Sequence, residues 1–491
     1  MIPSSGNTGE ITPWRFNTNP YAIESVELLT GAQSHWFHPR LRFFAGREDR
    51  LPIDQHSLIA MVAPRGVMMY SGYMESAANP LAFEQAYRSA LGVYQLLGHP
   101  ERLWLHQREG EHSTNAEDIE TFIDFFDTVF GRRQRAKSET WILGWDFDQW
   151  QRSTGIKIEP KALPRETPTP DQTRQHIREM LGPEPPRAPF DGKRKFTDAA
   201  WAQEGWLSLV MGRPTADRLR ANGMGVTPVP YGDGQCAQLF YPLKRNGKLP
   251  VIVWLHPYSY ANGWAARSPW SDTVADYLAD QRPSFTGLIK QGYAVLAFDQ
   301  IGFGTRLHEA RRFYDRYPQW SLLGRMIADT RDAITAAGRL EEIDANQITV
   351  LGYSLGAKVA LLAAAFDDRI QRIVAVAGID SLRRPEGEGL WHYSHLHGIL
   401  PKLGFFEQAP ERVPFDWDEV LMAIAPRRTL VVAPQLDRYV QLDTVRAQVA
   451  RAKKAYAGHE EALELQTPLD INRFSKRIQA QVSAWLEATR K

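Results

Sequence analysis

Cysteine is nearly absent from this sequence. Its 491 residues include a single one, Cys236. One thiol excludes an intrachain disulfide framework and any site held by several thiolates, such as a structural zinc or an iron–sulfur cluster. The chain must therefore be stabilised by its apolar core, and we expect Cys236 to be a buried structural thiol.

The chain also lacks an excess of charge and a long apolar run. Lys and Arg total 58 against 57 for Asp and Glu, and the resulting net charge of +1 gives no long-range attraction for nucleic acid or anionic lipid. No segment reaches the roughly 20 apolar residues of a membrane-spanning helix. Residues 1–6 lack the basic and apolar regions of an export signal. We therefore expect no nucleic-acid or membrane partner, and the localisation stays open.

Material for a hydrophobic core is abundant. Hydrophobic residues make up 43% of the chain, which contains 15 Trp, 17 Tyr and 22 Phe. At about 100–200 residues per domain, the length predicts two or three compact units.

A cryptic repeat organises the chain. Residues 58–65 and 420–427 both end in Ala-Pro-Arg. Each is followed by an apolar run and then, at the same distance from the proline, by an acidic residue: Glu75 in the first copy and Asp437 in the second. A further strand and a closing amphipathic helix complete each copy. The pattern predicts two copies of one strand–helix–strand–helix unit.

Only the second copy is preceded by further strands. Short apolar runs separated by helix-length segments are typical of a buried parallel sheet. Residues 195–491 are therefore predicted to form an α/β domain with a doubly wound, mostly parallel sheet. The runs cover residues 251–255, 294–298, 348–351 and 373–377.

Residues 1–135 provide at most three strands and are predicted to be a partial copy of the same fold. A partial sheet leaves open edges. We expect this segment to dock on the second domain, to pair with another chain in a homo-oligomer, or to be the remainder of a longer protein. Residues 136–194 are predicted to be a Pro-rich linker, and the prolines between residues 160 and 189 are not expected to serve a regular element.

Gly352, Ser354 and Gly356 match G-x-S-x-G between a predicted strand and a predicted helix. The glycines allow a sharp turn that exposes the serine hydroxyl at its apex. We predict that Ser354 is a nucleophile, and the alternative is a structural turn serine. The backbone N–H groups of Leu355 and Tyr258 are predicted to stabilise an oxyanion.

Asp437 lies just past the strand predicted at residues 429–432, where the carboxylate of a catalytic triad belongs. The alternative is a surface aspartate paired with Arg438. The first copy has Glu75 at the equivalent position and a histidine, His112, before its closing helix, but residues 1–135 contain no nucleophile motif.

The second copy lacks the matching histidine. The position equivalent to His112 is Asn472, and residues 460–491 contain no histidine. An asparagine cannot act as a general base near neutral pH. We predict that the base comes from the insertion at residues 391–397, with His395 as the first candidate. His112, His392 and His397 are the alternatives.

The motifs of the first segment resemble glucuronoyl-esterase-like proteins of carbohydrate esterase family 15. Residues 35–39, 48–56, 63–65 and 110–112 carry this resemblance, which covers most of residues 1–132. It implies that His112 is the base and Glu75 the acid of a remnant first site. The family's serine precedes this region.

Residues 195–491 resemble acetyl-xylan-esterase and dienelactone-hydrolase-like members of the α/β-hydrolase superfamily, through the serine motif, residues 299–304 and Asp437. Together the resemblances imply a serine-dependent carboxylic ester hydrolase with no metal or cofactor. They also imply a small-molecule or polysaccharide ester substrate, acylated or uronoyl, and a secreted or periplasmic location. Asn472 leaves a second interpretation open: a catalytically degenerate α/β-hydrolase-fold binding or scaffold protein.

Overall fold

The computed structural model describes residues 1–3, 11–16, 25–74, 79–110, 113–164, 166–187, 219–266, 285–384 and 388–490. The chain divides into two compact units. The first consists of Met1–Gly144, Tyr258–Ala266 and Gly302–Arg311, and the second of Trp145–Pro257, Arg267–Ile301 and Arg312–Lys491.

The first unit contains a two-stranded parallel sheet. Its elements are α1 (Val26–Ala32), α2 (Gln55–Ala60), β1 (Val67–Gly72), α3 (Pro80–Leu96), β2 (Leu103–Arg108) and α4 (Ala116–Val129). Helix α3 connects the two strands, which pair from Val67 opposite Leu103 to Gly72 opposite Arg108. A reciprocal capping box between Asn115 and Asp118 starts α4.

The core of this unit lies between α3 and the strands. Met69, Tyr87 and Leu105 are fully buried in one cluster. The hydroxyl of Tyr70 lies 2.8 Å from the Asp118 carboxylate. The strand and the closing helix of the repeat are therefore joined by a buried polar contact as well as by apolar packing.

The second unit is built on an eight-stranded sheet in the order β10-β9-β8-β7-β5-β6-β4-β3. Its strands are β3 (Met224–Tyr231), β4 (Gln235–Pro242), β5 (Leu249–Leu255), β6 (Ala294–Ala297), β7 (Ile343–Tyr353), β8 (Ile370–Val376), β9 (Arg428–Val432) and β10 (Leu463–Gln466). Its helices are α5 (Phe147–Thr154), α6 (Pro170–Leu181), α7 (Thr286–Lys290), α8 (Phe313–Arg316), α9 (Leu322–Gly338), α10 (Leu355–Phe366), α11 (Glu388–Trp391), α12 (Trp417–Ile424), α13 (Leu442–Ala452) and α14 (Lys476–Ala488).

The sheet is mostly parallel, and only β3 with β4 and β4 with β6 pair antiparallel. From β5 the strand order runs outward in both directions, as in a doubly wound sheet. All seven residues of β5 are buried, as expected for a strand with helices on both faces of its sheet. The predicted α/β fold of the second domain is therefore confirmed.

The two halves of the predicted repeat have the same order of elements. In the first unit the order is β1, α3, β2 and α4, and in the second it is β9, α13, β10 and α14. Both strand pairs are parallel. The Ala-Pro-Arg sequences at residues 63–65 and 425–427 occupy the same place, directly before β1 and β9.

Two expectations about single residues were wrong. Pro170, one of the prolines between residues 160 and 189 that were not expected to serve a regular element, is the first residue of α6. Proline is well tolerated there because the N–H that it lacks has no intrahelical partner at that position. Cys236 is exposed rather than buried, because β4 carries its side chain near the hairpin turn, on the strand next to the sheet edge.

None of the helices in the described ranges is both long and apolar enough to cross a membrane.

Candidate active site

Ser354 occupies a sharp turn between β7 and α10. Its backbone has φ 53° and ψ −113°, a left-handed conformation that is unfavourable for a residue with a side chain. The turn follows from the sequence because β7 ends at Tyr353 and α10 begins at Leu355, which leaves one residue to reverse the direction of the chain. Ser354 is 7% exposed.

Close backbone contacts explain the glycines around this turn. A Cβ atom on Gly352 would lie 2.0 Å from the carbonyl oxygen of Gly356, and one on Gly356 would lie 1.9 Å from the carbonyl oxygen of Leu255. A Cβ atom on Gly378, after β8, would lie 2.2 Å from the Cβ of Ala357. The start of α10 therefore packs against β5 and the end of β8 at distances that only glycine allows.

The reactive groups of this turn have no hydrogen-bond partners among the described residues. Neither the hydroxyl of Ser354 nor the backbone N–H of Leu355 makes a hydrogen bond there. Leu355 is the first residue of α10, so its N–H is one of the unpaired donors at the positive end of the helix dipole. Among the described residues, this arrangement leaves a hydroxyl and a backbone N–H available to a bound molecule.

Asp437 lies after β9 and is 5% exposed. Its carboxylate accepts hydrogen bonds from the backbone N–H of Tyr439 at 3.0 Å and from Nδ2 of Asn472 at 2.9 Å. Burial raises the pKa of Asp437 to about 6, and these hydrogen bonds together with the charges of Lys358 and Arg438 oppose the rise. A surface aspartate paired with Arg438 is therefore not what the structure shows.

Asn472 lies where the repeat predicts a histidine. It follows β10 and donates to Asp437, which is the contact a triad imidazole would make. The hydroxyl oxygen of Tyr353 lies 2.8 Å from Oδ1 of Asn472 and 3.0 Å from its carbonyl oxygen. Asn472 thus connects the acid to the residue beside Ser354, but it provides no proton acceptor of useful basicity.

The polar contacts of His395 are with residues other than Ser354, Asp437 and Asn472. Its Nδ1 lies 2.7 Å from a carboxylate oxygen of Glu407 and 2.9 Å from the hydroxyl of Ser394. Its ring packs on Phe147 with the centroids 4.1 Å apart. Among the described residues it forms no hydrogen bond or ion pair with Ser354 or Asp437.

His392 and His397 lie closer to the charged groups of the site. The ring of His392 is 6.1 Å from that of Tyr439, two residues after Asp437. Burial and the charges of Arg438 and Lys358 lower the pKa of His392 to about 4. Burial also lowers the pKa of His397 well below its usual range. Both imidazoles are neutral at pH 7 and weakly basic.

His256, at the end of β5, has its ring nitrogens engaged. Its Nδ1 lies 2.7 Å from the carbonyl oxygen of Pro257, and its Nε2 accepts the backbone N–H of Gln300 at 3.0 Å. The side chain of Gln300 donates back to the carbonyl oxygen of His256. This fully buried imidazole fixes two loops and has no free nitrogen for catalysis.

Sequence reasoning missed Lys358. It belongs to α10, four residues after Ser354, and its Nζ lies 5.6 Å from the ring centroid of Tyr393. Burial lowers the pKa of Lys358 to about 8, against the opposing effects of the Asp437 and Asp380 carboxylates. The spacing of a lysine one helical turn after the predicted nucleophile was the available signal.

Three predicted site residues are not part of the geometry described above, and the roles of all the predicted site residues stay predictions. Glu75 and His112 lie outside the described residues. Tyr258 belongs to the first compact unit, where its ring lies 6.1 Å from that of Phe303. Its role as an oxyanion donor stays a prediction. In the part of the chain that the structure describes, no group of three or more His, Cys, Asp or Glu side chains could hold a metal ion.

Two protein-family models match separate parts of the chain. Residues 1–98 match the model of the fungal glucuronyl esterase family, and residues 252–476 match the alpha/beta hydrolase family. Both resemblances drawn from the sequence, to glucuronoyl esterases in the first segment and to α/β-hydrolases in the second half, are confirmed by these matches.

Individual proteins are similar over parts of their length. Carbohydrate esterase MZ0003, from an unknown prokaryotic organism, is 34% identical over 21% of this chain and 28% of its own length. The hydrolase YtaP of Bacillus subtilis is 28% identical over 44% of this chain and 70% of its own length. The chain thus spans little more than a quarter of the first of these relatives.

Among solved structures, a glucuronoyl esterase from Solibacter usitatus is 14% identical, with a TM-score of 0.48, and the match covers 65% of this chain and 91% of that one. The family match and the sheet topology together show that the second unit has the α/β-hydrolase fold, and residues 1–98 match the fungal glucuronyl esterase family.

Proposed function

We propose that the second unit is a serine-dependent carboxylic ester hydrolase in which Ser354 attacks the acyl carbon. The observation that carries this proposal is the backbone of Ser354, held at positive φ in a turn where Gly352 and Gly356 approach other backbone atoms too closely for a Cβ atom. Strain of this kind persists where surrounding structure enforces it, and it occurs often at active sites.

The surrounding groups support acyl transfer. As Ser354 attacks, negative charge develops on the carbonyl oxygen, and the unpaired N–H of Leu355 at the start of α10 is suited to stabilise it. Asp437 supplies a buried carboxylate within the same unit. The acyl group is transferred to Ser354 with release of the alcohol, and water then releases the acid and regenerates the serine.

The substrate class follows from the relatives. The first segment matches a family named for glucuronyl esters, and MZ0003 is named a carbohydrate esterase. We propose esters of plant polysaccharides, acylated or uronoyl, as the natural substrates. Small aryl esters should serve as surrogates because the acyl chemistry is the same.

The decisive experiment is labelling of the full chain with a fluorophosphonate, which forms a covalent bond only with an activated serine. We expect the label on the peptide that contains Ser354 and none on Ser354→Ala. Ser483→Ala, on α14, is the matched control and should be labelled like the parent. Loss of p-nitrophenyl acetate hydrolysis in Ser354→Ala alone would agree. Equal hydrolysis by Ser354→Ala and the parent would disprove the assignment.

A second candidate function is supported by Asn472. Because an amide occupies the place of the triad imidazole beside Asp437, the second unit could bind carbohydrate esters without cleaving them. This interpretation predicts that Ser354 is not labelled at any pH between 7 and 10. It also predicts that acetylated xylan stabilises the protein against thermal unfolding while its ester content stays constant.

A further inference from the structure

Ester hydrolysis by Ser354 needs a group that accepts the hydroxyl proton, and the described imidazoles do not meet that need. His395 is held by Glu407, and His256 has both ring nitrogens engaged. His392 is neutral but weakly basic. A catalytic base works best when its pKa is near the working pH. Other side chains of the same cluster are therefore the candidates for the general base.

Lys358 is the side chain best placed by the fold. Ser354 is the residue before α10, and Lys358 is the fourth residue of that helix. Side chains four residues apart lie on one face of a helix, and helical side chains lean toward the N-terminus. Lys358 therefore lies one helical turn after the nucleophile, and its side chain is expected to lean back toward that turn.

The amine of Lys358 is not engaged in a structural contact. Its only described contact is with the face of the Tyr393 ring, at 5.6 Å, and it forms no hydrogen bond or ion pair within the described ranges. Lys358 is half-buried, and a lysine amine withdrawn from water is normally paired. An amine with no hydrogen-bond or ion-pair partner among the described residues, one helical turn after the predicted nucleophile, is instead available to a reacting group.

The charges around Lys358 come from several elements. Asp437 follows β9 and Asp380 follows β8, and both carboxylates favour the charged amine. Asp380 is itself paired with Arg384. The amine's charge also acts on His392 and His397 and lowers the pKa of both imidazoles. Burial outweighs the two carboxylates, so the pKa of Lys358 falls to about 8.

We propose that Lys358 is the general base for Ser354, in the role that Asn472 cannot fill; this inference rests on the proposed ester hydrolase function. The neutral amine takes the proton of the Ser354 hydroxyl while the oxygen bonds to the acyl carbon. The resulting ammonium gives that proton to the departing alcohol oxygen as the ester C–O bond breaks. The amine then takes a proton from water, which attacks the acyl-enzyme, and returns it to the Ser354 oxygen.

The pH dependence follows from the direction of proton transfer. Because the amine must be neutral to act as a base, the reaction rate should rise with pH and level off above about pH 8, the pKa of Lys358. An imidazole base of ordinary pKa would level off near pH 6.5 instead. The pH at which the rate reaches half its plateau therefore distinguishes the two bases.

The test compares Lys358→Met and Lys358→Arg in the full chain. Arginine keeps the positive charge but is not deprotonated in proteins, so both variants should lose about 10²-fold or more of the fluorophosphonate labelling rate. Both should also lose the rise in rate near pH 8. Lys402→Met removes a lysine whose pKa is also lowered by burial, and it should keep the parent's rate and pH profile.

Other outcomes have definite meanings. If the parent is labelled and Lys358→Met reacts at the same rate with the same pH profile, Lys358 is not the base and the ester hydrolase proposal stands. If Lys358→Arg retains the parent's rate while Lys358→Met loses it, the side chain acts by charge alone and the inference is wrong. If the parent is not labelled between pH 7 and 10, the hydrolase proposal itself fails. Lys358→Gln replaces Lys358→Met if the methionine variant does not fold.

Discussion

At the scale of single residues, the site is defined by a buried acid that faces an amide. Asp437 accepts hydrogen bonds from Tyr439 and Asn472 but has no imidazole to orient. Its folded pKa is about 6, above the roughly 3.9 of an unfolded aspartate. Below about pH 4 the carboxyl is protonated in both states, and as the pH rises through 6 the folded state must hold an unfavourable charge.

Asp437→Asn should therefore stabilise the protein at pH 8 and not at pH 4. A shift of about two pKa units corresponds to roughly 3 kcal/mol at most, and lost attraction for Lys358 offsets part of it. We expect a higher midpoint of thermal unfolding at pH 8, together with lower esterase activity. Calorimetry at the two pH values checks this, and an equal change at both would contradict the buried, ionised Asp437.

Asn472→His places an imidazole beside Asp437. If the base is otherwise Lys358, the added histidine should raise ester hydrolysis at pH 6–7, where the lysine is charged. It should also move the half-maximal pH of the rate profile from about 8 toward the 6.5 typical of histidine. Asn472→Gln is the control, since it keeps an amide. An unchanged profile in Asn472→His would show that this position does not reach Ser354.

At the scale of elements, the nucleophile depends on how closely α10 approaches the sheet. At Gly352 and Gly356 the backbones are so close that an added methyl group at either position would clash with a backbone carbonyl. Helix α10 is almost entirely buried, so it cannot shift outward without opening the core. The conformation of the serine turn therefore depends on the packing at the centre of the second unit.

Gly356→Ala should destabilise the second unit by several kcal/mol, since its Cβ would lie 1.9 Å from the carbonyl oxygen of Leu255. Gly338→Ala, at the end of α9, is the matched control, because its Cβ would be 3.6 Å from the nearest atom, the Cβ of Ala345. That change should be close to neutral. Urea unfolding of both variants measures the difference, and similar midpoints would contradict the tight contact.

The elements were more predictable from sequence than the site. Hydrophobic periodicity and turn-forming residues act locally along the chain. The strands, the serine turn and the position of Asn472 could therefore be predicted from the residues themselves. The surroundings of Lys358 did not, because Asp380, Asp437 and the segment around His392 come together only through the strand order. His395 was favoured as the base because its segment follows β8 at the catalytic edge of the sheet. The sequence pattern did not show that Glu407 would hold its ring.

At the scale of the whole molecule, the described residues form one large sheet and one small one. The first unit has two parallel strands, fewer than an independent sheet usually needs. Residues Tyr258–Ala266 and Gly302–Arg311 also belong to it. Within this unit, Nε2 of His308 lies 2.8 Å from the hydroxyl of Tyr73, so residues far apart in sequence complete its structure.

A fragment of residues 1–144 should therefore not fold cooperatively on its own, because it lacks two segments of its own unit. We expect no sharp urea transition in its tryptophan fluorescence. Amide exchange in β1 and β2 should be fast in the fragment and slow in the full chain. A single cooperative transition with protected strand amides in the fragment would contradict this.

The far edge of the large sheet has a consequence for solution behaviour. Strand β3 ends the described sheet, and it carries Pro228 and Pro230 opposite Gln238 and Cys236. Proline is confined to positions on an edge strand whose missing N–H faces away from the ladder. A strand from another molecule that approached this edge would find no backbone N–H donor at two alternate positions, Pro228 and Pro230. This edge is thereby protected against the sheet-to-sheet aggregation to which exposed strands are prone.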